Sequence, residues 1–172
     1  RKFNQNMTDI LSLSIVANNL LVEKYKKKIK KNKPNFSDKQ LRVFIPACRE
    51  TVVMQHISKN IAKSFEDMGY KVKYCTQKNS MESCGALHGL KKLYKFNPHI
   101  TVNINHLNND YLHDDVFNFV WFQDSMPKLI DNSEIFLRKK DYIFHLVQGI
   151  QKRLSRKNIP STHQPFCINT NI

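Results

Sequence analysis

From Leu41 onward the chain alternates short apolar runs with amphipathic stretches, a pattern that predicts parallel strands joined by crossover helices. Leu41 to Ile45 reads as a first strand, stopped by Pro46. Val53, Ile57, Ile61, Phe65 and Met68 then recur every three or four residues, the buried stripe of a helix that ends at Gly69. Tyr70 to Tyr74, with Lys71 and Lys73 alternating outward, predicts a second strand. Ser80 is placed to cap a further helix whose inward face would carry Cys84, Leu87, Leu90 or the stem of Lys91, and Tyr94, before Asn97-Pro98 forces a turn. Ile100 to Ile104 is a third strand. The nearly continuous apolar run Phe117 to Phe122 has the character of a central strand covered on both faces. Tyr142 to Val147, a basic helix from about Gln148 to Lys157, and an extended segment from Thr162 to Ile168 complete the series. The predicted fold class is α/β: a three-layer Rossmann-like domain with a parallel sheet of five or six strands, preceded by an N-terminal basic helix.

That preceding helix spans Asp9 to Lys31, apolar in its first half (Ile10, Leu11, Leu13, Ile15, Val16, Leu20, Leu21) and lysine-rich in its second, and Pro34 ends it. The division expected is therefore residues 1–40 as helix and basic linker, and 41–172 as one packed domain. Ser12, Ser14, Asn18 and Asn19 interrupt the apolar stretch Ile10 to Val22, which excludes a membrane span. Charge sharpens the picture: 28 Lys+Arg against 14 Asp+Glu give a net charge of +14. The first forty residues carry half of that excess, ten cations against three acids. An anionic membrane surface touched through residues 24–33 is one partner this implies, because each such lysine gains about 1 kcal/mol near an acidic leaflet. A solvated lysine face in an Asn- and Lys-rich chain is the plainer alternative. Nucleic acid is disfavoured, since Tyr25 is the sole aromatic in the basic run and no recognition module follows. Cys48, Cys75, Cys84 and Cys167 show no paired ligand spacing, so neither a metal nor another cofactor is expected. They read as reduced thiols of a cytoplasmic protein, with peripheral contact at the inner membrane face as a further option. The N-terminus has no signal-peptide pattern, and the first residue is Arg1 rather than Met, so a piece of a longer protein is expected.

In open parallel sheets ligands bind outside the carboxyl ends of the strands, and here those positions are polar. Arg49 and Glu50 follow the first strand, Asn105, His106 and Asn108 the third, Gln123, Asp124 and Ser125 the fourth, and Gln148 and Gly149 the fifth. Asp124 is the candidate base or hydroxyl ligand, against the alternative that it caps the next turn. His106 is the candidate proton acceptor or phosphate-orienting group, against an ordinary loop histidine. Arg49, Asn105, Gln123, Ser125 and Gln148 are candidate substrate contacts. GxGxxG, GxxxxGK and GxSxG are all absent, which argues against a tightly held dinucleotide, ATP hydrolysis and α/β-hydrolase chemistry.

The segments LRVFIPACRE, MGYKVKYCT, LKKLYKFNPHITVNINHL, FNFVWFQDSMP and DYIFHLVQGIQKRLSRKNIPSTHQPFCINTNI resemble, in order, the N-terminal domain of GT-B glycosyltransferases. The bacterial spore-maturation-protein-like (CgeB-like) members are the most similar. The resemblance implies the acceptor-side half of an enzyme moving a sugar from a nucleotide-sugar donor to a hydroxyl of a glycan, lipid-linked or protein acceptor, in bacterial surface glycan or glycoprotein synthesis. It also implies that Asp124 matches the family's acidic residue after the fourth strand, that Arg49 and Asn105-His106 match acceptor-facing loops, and that a C-terminal donor domain lies outside this chain, leaving the fragment alone inactive. His99 departs from the Asp often found after the Pro before the third strand. The rival classes are a non-catalytic flavodoxin-like receiver or sensor, and a basic interaction domain. A receiver would need an acidic pair after the first strand and an Asp ending the third, and those places hold Arg49-Glu50 and Asn105-His106.

Overall fold

The computed structural model describes residues 2–47, 52–76, 87–131 and 134–166. In chain order these form α1 (Lys2–Lys31), β1 (Arg42–Ala47), α2 (Val52–Asp67), β2 (Lys71–Thr76), α3 (Leu87–Phe96), β3 (Ile100–Ile104), β4 (Phe117–Phe122), α4 (Pro127–Ile130), β5 (Asp141–His145), α5 (Gln148–Arg156) and β6 (Thr162–His163). The sheet has six strands in the order β2-β1-β3-β4-β5-β6, and every pairing is parallel. The fold class is thus the α/β, Rossmann-like one that the alternation of patterns predicts.

Burial by alternate residues builds the layers. On one face Phe44 and Cys75 pack with Leu90 and Leu93 of α3 and Ile29 of α1, while Val120, Phe122 and Ile143 pack with Ile150 and Leu154 of α5. On the other, Val43, Ile45 and Val102 meet Ile61, Ala62 and Phe65 of α2. Helix α2 runs into Gly69, whose φ of +85° takes the left-handed conformation that closes a helix without a Cβ penalty.

Several expectations are corrected. Pro46 does not stop β1; it sits within the strand opposite Cys75. Registered pairing with β3 is confined to Val43 and Phe44, so beyond Phe44 the strand behaves as an edge on that side and tolerates a residue without an N–H. The α2 stripe is rotated: Met54, Ser58 and Ala62 are buried, whereas Val53 and Met68 are exposed. In α3 Leu93, not Tyr94, accompanies Leu90 inward. Ser80 and Cys84 lie outside the described residues. Helix α1 begins at Lys2 rather than Asp9, β5 ends at His145, and the described part of β6 is two residues long.

Strand β4 is interior, but among the described residues no helix covers its aromatic face. Phe117, Phe119 and Trp121 remain half-buried on the α2 side, where Phe119 borders the cluster that α2 forms with β1 and β3 and the β4–β5 connection contributes a helix of just four residues on the opposite face. The rings cover one another instead. Tyr142 stacks on Phe119 at 5.3 Å, Trp121 meets Phe166 at 5.5 Å, and Lys140 Nζ lies 4.8 Å from the Phe117 centroid.

The opposite face of the same strands carries a polar seam inside the core. Thr101 Oγ1 and Asn103 Nδ2 both donate to Asn118 Oδ1, at 2.8 and 2.7 Å, and Asn118 Nδ2 donates to Asp141 Oδ1 at 3.3 Å. The chain after β3 folds back onto the seam: Asn108 Nδ2 reaches Asn103 Oδ1 at 2.9 Å, Asn109 Nδ2 reaches Asp141 Oδ2 at 2.6 Å, and the Leu107 carbonyl accepts from Asn118 at 2.9 Å. Arg138 completes it, donating to Asp141 Oδ1 from Nε at 3.1 Å and from a terminal nitrogen at 2.8 Å, and to the carbonyls of His113 and Val116. Buried amides survive because the network supplies their partners, and it fixes the loop that follows β3.

Candidate functional site

Strand order locates the crevice. The chain passes from β1 outward to β2 and returns to place β3 on the other side of β1, so the topological switch lies between β1 and β3, where the loops leaving their carboxyl ends diverge. The loop after β1 contains Arg49, which lies outside the described residues. The ends of β3 and β4 are described, and there the sequence candidates come together.

Asn105 follows β3 directly with a φ of +60°, a conformation Asn tolerates better than most residues, and its N–H donates to the Trp121 carbonyl at 3.0 Å. Its buried carboxamide reaches across to β4. The oxygen accepts the N–H of Gln123 at 2.7 Å and of Asp124 at 3.1 Å, while Nδ2 donates to Asp124 Oδ2 at 3.0 Å. One side chain thus clamps the ends of two strands and holds the Asp124 carboxylate at the surface. Asn105 is itself buried, so its part is to position Asp124. Asp124 is exposed, and it does not cap α4: the residue before Pro127 is Met126, and that position has no side-chain cap.

Gln123, between them, is 8% exposed, and its Nε2 is a buried donor without a hydrogen-bond partner among the described residues. A buried amide left unsatisfied costs about 1–3 kcal/mol, which marks this position as one where a ligand acceptor would be welcome. Ser125 is exposed immediately beyond, and His106 is half-buried on the β3 loop. Gln148 is exposed in the first turn of α5, one strand further along the sheet. Among the described residues no group of three or more His, Cys, Asp or Glu could hold a metal ion. A groove of about 690 Å³ lies elsewhere, between α4, α5 and residues 134–136, where Arg153, Arg156 and Lys157 face Leu129, Ile135 and Phe136.

Sequence reasoning assigned no chemistry to His145, yet this residue closes β5 at the same end of the sheet. It is buried, its Nδ1 is 3.0 Å from Ser161 Oγ, and its ring lies 5.6 Å from that of His163. Burial first, and the nearby His163 second, hold its pKa below the ordinary 6.5. A depressed histidine pKa means that the unfolded chain takes up the proton first on acidification. Its contribution to stability is therefore complete above about pH 6.5 and is lost as pH falls from there through the folded-state value. Urea midpoints measured across that window should fall toward acid pH, and His145→Gln should flatten the slope there; an unchanged slope would remove His145 as its source.

Among the described residues no helix is long and apolar enough to cross a membrane. Comparison of the chain with protein-family models, with curated proteins and with solved structures finds no match in any of the three.

Proposed function

We propose that this chain is the acceptor-side domain of a two-domain glycosyltransferase that moves a sugar from a nucleotide-sugar donor to an acceptor hydroxyl. The observation that carries the reading is the buried Gln123 Nε2, without a hydrogen-bond partner among the described residues, next in sequence to the clamped Asp124 carboxylate at the carboxyl end of β4. A sugar hydroxyl both accepts and donates, so it can take the Gln123 N–H while giving its own hydrogen to Asp124. The acceptor oxygen then forms the bond to the anomeric carbon as the bond from that carbon to the donor phosphate breaks. The hydroxyl proton passes to Asp124 and on to solvent, and the nucleoside diphosphate leaves with the bonding pair. Asn105 serves by fixing the carboxylate, and Arg49, His106, Ser125 and Gln148 are the remaining contacts proposed for the acceptor. The resemblance to GT-B N-terminal domains supports the donor class and a setting in bacterial surface glycan or glycoprotein synthesis, at the cytoplasmic side.

One observation favours the receiver reading: strands β2-β1-β3-β4-β5 follow the order of flavodoxin-like modules. The chemistry at the end of β3 weighs against it. A phosphoacceptor site there needs an exposed carboxylate, and the residue present is a buried Asn105 whose amide is committed to the chain.

Two measurements on the chain test the proposal. Incubated with nucleotide sugars it should release no nucleoside diphosphate over many turnovers, because the donor-gripping half belongs to the other domain. Titrated with oligosaccharides in amide-resolved NMR, it should show its largest shifts at the Gln123 side-chain amide and the backbone of 123–125. Sustained nucleotide release, or shifts confined to other parts of the surface, would overturn this division of labour.

A further inference from the structure

Among the described residues, helix α1 joins the core through its second half, where Val22, Tyr25 and Ile29 pack against α3. Every residue from Ile10 to Leu21 is exposed, including Ile10, Leu11, Leu13, Ile15, Val16 and Leu20 at 55–69%. Between Asp9 and Glu23 there is no charged residue. Those twelve residues extend about 18 Å, well short of the roughly 30 Å needed to cross a bilayer core.

We infer that α1 docks the protein on an anionic lipid surface, its uncharged half lying in the interface and its lysines on the headgroups. Leu13, Val16 and Leu20 share one helix face with Lys24, Lys27 and Lys31, opposite the stripe that packs on α3, so apolar and cationic surface are continuous on the side turned away from the domain. Lys24, Lys27, Lys30 and Lys31 are exposed. Leu11 and Ile15 extend the domain-side stripe, and Ile10 and Leu21 lie between the two; the polar residues are Ser14 and Asn18 beside that stripe and Ser12 and Asn19 on the far flank, so the face of Leu13, Val16 and Leu20 is uninterrupted. A second helix covers one seam of such a surface, whereas lipid covers every apolar side. Pairing two copies in parallel would also bring their lysine runs together, while an acidic bilayer neutralises them.

The test is flotation of the chain with vesicles of phosphatidylcholine alone and of phosphatidylcholine mixed with phosphatidylglycerol. Binding should be confined to the mixed vesicles and should weaken with salt. Replacing Lys24, Lys27 and Lys31 with Gln should weaken it by roughly 100-fold, about fivefold for each cation. Leu13→Ser with Leu20→Ser should weaken it by about tenfold or more through lost apolar burial. All five positions are exposed, and an unchanged thermal melt of each variant verifies the fold. Absence of flotation with the mixed vesicles overturns the inference, as does binding that survives both sets of changes. A dimer in sedimentation velocity that Leu13→Ser and Leu20→Ser dissolve, with no vesicle binding, would assign the face to a second copy instead. The outcome is independent of the transfer reading, since none of these residues belongs to the strand-end site.

Discussion

Asp141→Ala is expected to lower the free energy of unfolding by about 3–5 kcal/mol, the usual cost of removing one partner from a buried ion pair. The Asp141 side chain is fully buried and that of Arg138 is 14% exposed, so the guanidinium left behind could not recover its hydration. Asn109, Asn118 and the Arg138 backbone N–H would each lose one acceptor in the same step, the two amides keeping the carbonyls of Phe136 and Leu107. A domain of this size is stable by only about 5–15 kcal/mol, so the variant should lie near the edge of folding. Urea titration with an unchanged slope checks it. Asp141→Asn, which retains an acceptor for the amides, should fall between wild type and Ala. A loss below about 1 kcal/mol for the Ala variant, the range of exposed pairs, would show that the seam bears little of the stability.

Asp124→Asn should lower kcat/KM of the two-domain enzyme by about 10²-fold or more while leaving the melt unchanged, since the swap is nearly isosteric and removes only proton acceptance. The clamp makes this a clean comparison: the oxygen of the introduced amide can still accept from Asn105 Nδ2. Full activity with Asn in place would reduce Asp124 to a structural role. Loss of activity in His106→Ala together with a shifted pH profile would place both side chains in one site. Unimpaired activity in both variants would move the chemistry to another part of the enzyme.

How far these features could be read from the sequence depends on the range of the forces that make them. Strands β3 and β4 have the bounds their β-branched and aromatic runs predict, because adjacent residues set those limits. The strand continues through Pro46 because tolerance of proline depends on which neighbour pairs with it, and the registered pairs of β1 with β3, Val43 with Ile100 and Phe44 with Thr101, join residues 57 positions apart. The phase of α2 depended likewise on which stripe met the sheet. At the site, the polarity of the strand ends was visible at once. The clamp was not, since it joins Asn105 to a carboxylate 19 positions on and needs a left-handed residue to do so. The seam does have a signal in the sequence, since Asn103 and Asn118 are polar residues set inside otherwise apolar runs.

That seam also constrains how the sequence can change. Sliding β4 by one position against β3 would carry Asn118 to the aromatic face and bring Phe117 or Phe119 against Thr101 and Asn103, orphaning several buried amides at once, so the seam acts as a key for strand alignment. Its members are consequently bound to vary as a group. Exchanging Asn103, Asn118 and Asp141 together with Arg138 for apolar residues of similar volume could preserve stability, as replacement of whole buried ion networks often does, while loosening the alignment they specify. Exchanging any one alone strands the others, so viable descendants of this sequence should keep the set intact or lose it in a single correlated step.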